Sequence, residues 1–128
     1  MHRTIISGIG VEIPEPVITN EELVASFNAW VDAENPGREA RGEPLLQRSD
    51  ADFIVHASGV RQRHVVEREG ILDPTRMAPR IPPRSDDELS LQAEFGIAAA
   101  RKALAHAGVE AAGVDMVICS SSHLQRPY

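Results

Sequence analysis

Residues 85–123, SDDELSLQAEFGIAAARKALAHAGVEAAGVDMVICSSSH, read as one helix feeding one buried strand. Ser85-Asp86-Asp87-Glu88 is a capping-box signature, in which the Ser hydroxyl takes a free backbone N–H and Glu88 reaches back three residues later. The acids at 86–88 sit where a helix N-terminus favours negative charge. From there Leu89, Ala93, Gly96, Ile97, Ala100, Leu104 and Ala107 recur at three- and four-residue spacing, which gives a face that is apolar and mostly small. Gly108 supplies the stop. Val114 to Cys119 then forms an apolar run with little polar alternation, the pattern of a strand covered on both faces in a parallel sheet. Small residues let the helix lie close to such a sheet. The stretch predicts a helix-to-strand step of a layered α/β protein.

Outward from this core the chain divides by composition. Arg3 to Ile9 predicts a first strand, loosened at its end by Gly8 and Gly10. Gly8-Ile9-Gly10 is not a dinucleotide loop: Ile13 stands where a third glycine belongs, and Pro14-Glu15-Pro16 follows where a phosphate-binding helix should start. Close backbone packing accounts for the glycines better. Thr19-Asn20-Glu21-Glu22 is a second capping box, opening a helix with Leu23, Val24, Phe27, Trp30 and Val31 as its apolar stripe, and Pro36-Gly37 marks its end. Between Pro36 and Arg84 lie six of the nine prolines and nine of the thirteen bases. Most of this region reads as loop, with a short helix from Asp50 to Ala57 (Phe53 and Ile54 inward), a turn at Ser58-Gly59, and a strand from Arg61 to Val66. Gly70 to Pro83 reads as an extended insertion. Three strands and two helices do not cover both faces of a parallel sheet. The expectation is therefore an incomplete α/β half, the front of something larger or a chain completed by a partner.

Bulk properties narrow the function. The 128 residues suffice for about one domain, and 42% apolar content is ordinary for a globular protein. Nineteen acids against thirteen bases give a net charge of −6, which argues against nucleic acid as the main partner. A single cysteine excludes an internal disulfide framework and fits a reducing cytoplasm. The N-terminal apolar run is too short for a signal peptide and no stretch is long enough to span a membrane, so a cytoplasmic protein is expected.

The chemistry-bearing residues form no complete catalytic set. Cys119 stands inside an apolar run without a following helix or a neighbouring cation, so it reads as a small buried hydrophobe. Ser120 to Ser122 with His123 lack a nucleophile elbow and a placed carboxylate. The five histidines (2, 56, 64, 106 and 123) show no i,i+4 ligand pair and no cysteine companion, so no metal site is expected. Arg61-Gln62-Arg63-His64, with Glu67 and Glu69 nearby, reads as a solvated strand face.

Taken in order, the motifs resemble a known family. Ile5-Ile6-Ser7-Gly8-Ile9-Gly10, Pro14 and Val17-Ile18-Thr19-Asn20-Glu21-Glu22-Leu23 are similar to the opening of the β-ketoacyl-acyl carrier protein synthase III enzymes. Ser58-Gly59-Val60-Arg61-Gln62-Arg63-His64 resembles that family's (S/T)-G-I-R-x-R-(H/R) segment. Ala98 to Leu104, Ala107-Gly108 and Val114 to Ile118 resemble its next helix and strand. The likeness omits only Asn35 to Gln47 and Gly70 to Pro83, which read as insertions of a longer variety of the family.

The resemblance implies a thiolase-like fold of two layered βαβαβ halves, of which residues 1–128 would be the first part of the N-terminal half, in a homodimer. It implies acyl transfer from acyl-CoA to a cysteine, then condensation with malonyl-acyl carrier protein in fatty acid biosynthesis, with no resident cofactor. The family's nucleophile and its His and Asn partners match no residue of this chain, and Cys119 matches the third strand instead. Phe53 falls where the family often has a Trp stacking on the CoA adenine. Ala57 falls where an Arg covers the ring's other face, so the guanidinium is missing. Tyr128 falls near an aromatic that crosses the dimer interface. Two other readings share the fold: a non-catalytic partner subunit, and an acyltransferase that skips condensation.

Overall fold

A computed structural model describes residues 4–122, so Tyr128 and His123 lie outside the described residues. The described residues form a small α/β structure with two antiparallel strands, four α-helices and one 3-10 turn. The chain divides into two units, residues 14–82 and residues 1–13 with 83–128.

The unit of residues 14–82 is organised by a long helix. β1 (Val17–Thr19) leads into α1 (Asn20–Ala40), and Thr19 closes the expected capping box: its hydroxyl accepts from Glu22 N–H at 3.2 Å and its own N–H donates to Glu22 at 3.0 Å. α1 does not stop at Pro36-Gly37. A proline near a helix end removes only its own N–H bond, and the stop comes at Gly42, whose φ of 69° is the left-handed turn that favours glycine. There the N–H groups of Gly42 and Glu43 donate to the carbonyls of Glu39 and Arg38, a Schellman closure.

Next comes α2 (Ala51–Ser58), close to the expected span. Asp50 caps its start, and Gly59, with φ 72°, turns the chain out of it. β2 (Gln62–His64) pairs antiparallel with β1, Val17 opposite His64 and Thr19 opposite Gln62. β1 had no counterpart among the sequence expectations, and the pairing is antiparallel where a parallel sheet was expected. Ile18 and Val31 are the fully buried apolar side chains, and the Phe27 and Trp30 rings sit 5.6 Å apart.

The expected insertion at 70–83 is more ordered than extended chain. It opens with α3 (Glu69–Leu72) and is held by carboxylates. Glu67 accepts from Gly70 N–H at 2.9 Å and Arg80 N–H at 2.6 Å, while Asp73 accepts from Thr75 and Arg80.

The second unit is built on α4 (Leu91–Ala107), closed by left-handed Gly108 (φ 65°) as expected. Its start differs. Ser90, not Ser85, is the cap, accepting from Ala93 N–H at 3.1 Å. Glu88 does reach back to the Ser85 N–H at 2.8 Å, but its own N–H goes to the Ser85 backbone carbonyl and the Ser85 hydroxyl donates to the Glu88 carboxylate, which closes an isolated turn. The signature cannot tell a turn from a helix start, and here the Leu89 carbonyl is taken by the Arg84 guanidinium at 2.6 Å. Leu89 therefore stays outside the helix, 54% exposed.

Residues 4–13 run along α4, and the strand expected from Arg3 to Ile9 does not form among the described residues. A Cβ on Gly8 would lie 2.3 Å from the Ala103 carbonyl oxygen, and one on Gly10 only 2.1 Å from that of Ala99. The alanine row 99, 103, 107 and the two glycines thus bring backbone against backbone, which is the close packing expected of Gly8 and Gly10. Lys102 donates to the Val11 carbonyl at 3.1 Å and pairs with Glu12 at 2.6 Å. Beyond the 3-10 turn Ala111–Gly113, the run from Val114 to Cys119 makes no strand among the described residues. Met116, Val117 and Ile118 are 75–85% exposed, and Cys119 is exposed instead of buried. An apolar run becomes a strand only where a neighbouring backbone offers its N–H and C=O groups, and none does so among the described residues.

Candidate functional site

α2 carries the residues singled out for ligand contact, and its position follows from two asparagines on α1. Asn28 meets Ser49, the residue before the α2 cap, with both halves of its amide: Nδ2 donates to the Ser49 carbonyl and Oδ1 accepts from the Ser49 N–H, each at 2.9 Å. At the other end of α2, Asn20 donates to the Val60 carbonyl at 2.7 Å and accepts from the Arg63 guanidinium at 2.9 Å. Its backbone N–H reaches the Arg61 carbonyl. Asn20 is 1% exposed, so these bonds replace water completely. Asn35 grips Leu46 in the same two-handed way as Asn28 grips Ser49. Helix interiors disfavour asparagine because its amide competes for backbone groups. Here that tendency ties down the returning chain. Three asparagines on one helix were the signal in the sequence that the reading of apolar stripes passed over.

α2 thus stands as a short rigid helix tethered at both ends. Asp50 Oδ1 accepts from the Phe53 N–H at 2.6 Å, and the Gly59 N–H closes on the Val55 carbonyl at 2.7 Å. Phe53 does not point inward: its side chain is 62% exposed, and Ala57, one turn later, is exposed beside it. The hydrophobic count of this eight-residue segment could not say which of its apolar residues face α1. Ile54 does turn inward, lining a pocket of about 280 Å³ with Leu23, Val24, Phe27, Ser49 and Met77. Met77 holds a left-handed backbone, φ 50°, at the pocket rim.

The electrostatics around this site are those of clamped carboxylates. The Glu22 carboxyl lies below its ordinary range, chiefly through the Thr19 N–H and also through Arg68, its ion-pair partner. The Arg80 and Gly70 N–H groups lower Glu67 in the same way, and Thr75, with Arg80 behind it, lowers Asp73. Among the described residues no group of His, Cys, Asp and Glu could hold a metal ion, and no helix is long and apolar enough to cross a membrane. The structure gathers Phe53 and Ala57 on one helix face. Neither Tyr128 nor the pairing of Ser120–Ser122 with His123 can be placed, because both depend on residues outside those described.

No family model matches the chain. Individual relatives do. It is 48% identical over 107 residues, 80% of its length, to the β-ketodecanoyl-[acyl-carrier-protein] synthase of Pseudomonas aeruginosa. Identity is 30% over 122 residues to the β-ketoacyl-[acyl-carrier-protein] synthase III of Rhizobium johnstonii, and 32% over 122 residues to that of Bordetella petrii. The chain spans 31%, 25% and 26% of the length of these three relatives. The motif order from Ile5 to Ile118 and these alignments agree: the chain is a homologue of the N-terminal part of the β-ketoacyl-acyl carrier protein synthase III family.

Proposed function

We propose that residues 1–128 form the first part of the N-terminal half of a thiolase-fold condensing enzyme of fatty acid biosynthesis. In this reading they build scaffold and the mouth of an acyl-CoA channel. The reaction runs in two stages. A cysteine thiolate outside residues 1–128 attacks the acyl-CoA thioester, forming acyl-enzyme and releasing CoA thiol. Malonyl-acyl carrier protein then loses CO2, and the carbanion left behind attacks the acyl-enzyme, giving 3-ketoacyl-acyl carrier protein and freeing the cysteine. Phe53 stacks on the adenine end of the CoA, and Tyr128 lies at the interface of a cytoplasmic homodimer. A ketodecanoyl product, as named for the Pseudomonas relative, requires an eight-carbon acyl group extended by two carbons, so the donor proposed here is a medium-chain acyl-CoA.

The single observation supporting this reading most is the 48% identity over 107 residues to that synthase. The test is covalent labelling. Incubated with radiolabelled octanoyl-CoA, the polypeptide carrying residues 1–128 acquires a hydroxylamine-labile thioester, and Cys119→Ser retains it. A polypeptide that takes no label excludes the condensing reading in favour of a non-catalytic partner subunit. Loss of label in Cys119→Ser would put the nucleophile inside this chain and overturn the assignment. Release of CO2 from malonyl-acyl carrier protein separates condensation from simple acyl transfer.

A further inference from the structure

The pocket between α1 and α2 takes one of its walls from the expected insertion at 70–83. α2 buries none of its residues fully; Ile54 and Val55 are half-buried, and Ile54 lines the pocket with Leu23, Val24 and Phe27 of α1. Met77 is the insertion's contribution. The segment carrying Met77 is closed on itself. The Ala78 N–H donates to the Gly70 carbonyl at 3.1 Å, and the Glu67 carboxylate takes the N–H groups of Gly70 and Arg80. Gly70 is buried at this crossing, where a Cβ would lie 2.5 Å from the Ala78 carbonyl oxygen. Arg68, just before the loop, fastens it to the start of α1, pairing with Glu22 and donating to the Val17 carbonyl at 3.1 Å. A compact loop with its ends together holds what it carries in one place.

Inside the loop the Met77 N–H donates to the Asp73 carbonyl at 2.8 Å while φ stays at 50°. A left-handed backbone at a residue with a side chain costs free energy and persists only where its surroundings over-determine it. Here it sets a thioether, a side chain suited to filling irregular gaps, at the crevice that Ile54 enters. The asparagine ties fix the ends of α2 but not its rotation about its own axis. That rotation is set by what Ile54 rests against, and Phe53 stands one residue earlier, about 100° around the same helix. Resting on the reading above, in which Phe53 stacks on the adenine of CoA, we propose that Met77 is a positioning residue: by seating Ile54 it fixes the direction in which the Phe53 ring faces its ligand. The latched loop is then a prop for α2.

A double-mutant cycle on CoA binding to the polypeptide carrying residues 1–128, measured by calorimetry, tests this. Met77→Gly is the informative variant, because glycine keeps the left-handed backbone at no steric cost and only the side chain is lost. It is expected to weaken CoA by about fivefold, against about tenfold for Phe53→Ala, the size of losing one stacked base. Met77→Leu, of similar volume, stays within about twofold of the unsubstituted protein. In the Phe53→Ala background Met77→Gly adds less than about twofold, because the ring it positions is gone. A merely structural role leaves the two effects additive. Additive losses, a Met77→Leu variant as weak as Met77→Gly, or Met77→Gly without effect beside a weakened Phe53→Ala each overturn the proposal and leave α2 as a nucleotide contact. No CoA binding in the unsubstituted protein, or Phe53→Ala without effect, overturns the reading of α2 and the proposal with it.

Discussion

The α1–α2 assembly is poorer in apolar residues than the segments flanking α4, yet the assembly is the part that is tied down. In the first, nearly every turn and return is tied by a specific partner: Thr19 to Glu22, Asn28 to Ser49, Asn20 to Val60 and Arg63. In the second, residues 4–9 and 114–119 form no strand among the described residues and carry Ile5, Ile6, Met116, Val117 and Ile118 at 75–85% exposure. Hydrophobicity alone does not make structure. Backbone groups must also find partners, and a sheet strand can only get them from another strand. What separates the two regions is where those partners come from: α1 brings its own, in the form of side-chain amides.

The largest expected effect lies at Asn20. Asn20→Ala leaves the Val60 carbonyl and the Arg63 guanidinium without their buried partner, and a loss of about 2–4 kcal/mol in urea unfolding is expected. A loss below 0.5 kcal/mol would mean that the asparagine ties are incidental and that the comparison between regions fails. Next comes Gly10→Ala. With 2.1 Å to the Ala99 carbonyl oxygen, a methyl forces residues 4–13 off α4 at a cost of about 1–3 kcal/mol. Faster amide exchange at Ile9 and Val11 would report it, while α1 stays protected. Thr19→Ala removes one cap hydroxyl and should cost about 1 kcal/mol.

Acid sharpens the contrast in a different way. Glu22, Glu67 and Asp73 all have carboxyls held below their ordinary values by N–H donors and arginines. A carboxyl lowered in the folded state contributes stability above its unfolded pKa and loses it as pH falls through the folded one. The 14–82 unit should therefore loosen below about pH 4, with the 67–80 loop leading. Exchange protection that is flat from pH 6 to pH 3 at Gly70 and Arg80 would contradict this. Least affected in stability is the exposed run. Val117→Lys should shift unfolding by no more than about 0.5 kcal/mol, yet reduce binding of a hydrophobic dye, because that residue is 85% exposed in a contiguous apolar patch.

What the sequence disclosed was mostly local. The Thr19 box, the α2 helix, and the stops at Gly59 and Gly108 each follow from a few adjacent residues whose chemistry admits one conformation. The misreadings involve distance. Ser85 carries the fuller cap signature, yet the Leu89 carbonyl meets Arg84 and the helix opens at Ser90, and Val114 to Cys119 looks like a strand because nothing local says whether a neighbour exists. Phe53 and Ile54 are adjacent apolar residues, and only the tethers from α1 decide that Ile54 turns in and Phe53 out. For the candidate site, the motif order singled out Phe53 and Ala57, but not their exposure or the asparagines that hold α2.

The ties from Asn28 and Asn20 also set a timetable. They reach back over 21 and 40 residues respectively, so the α2 segment has no secure place until α1 already exists. That helix would then be the last piece of its unit to settle during folding and the first to let go during a partial opening. Any ligand that stacks on Phe53 would be felt as added protection along α1 as well, far from the ring it touches.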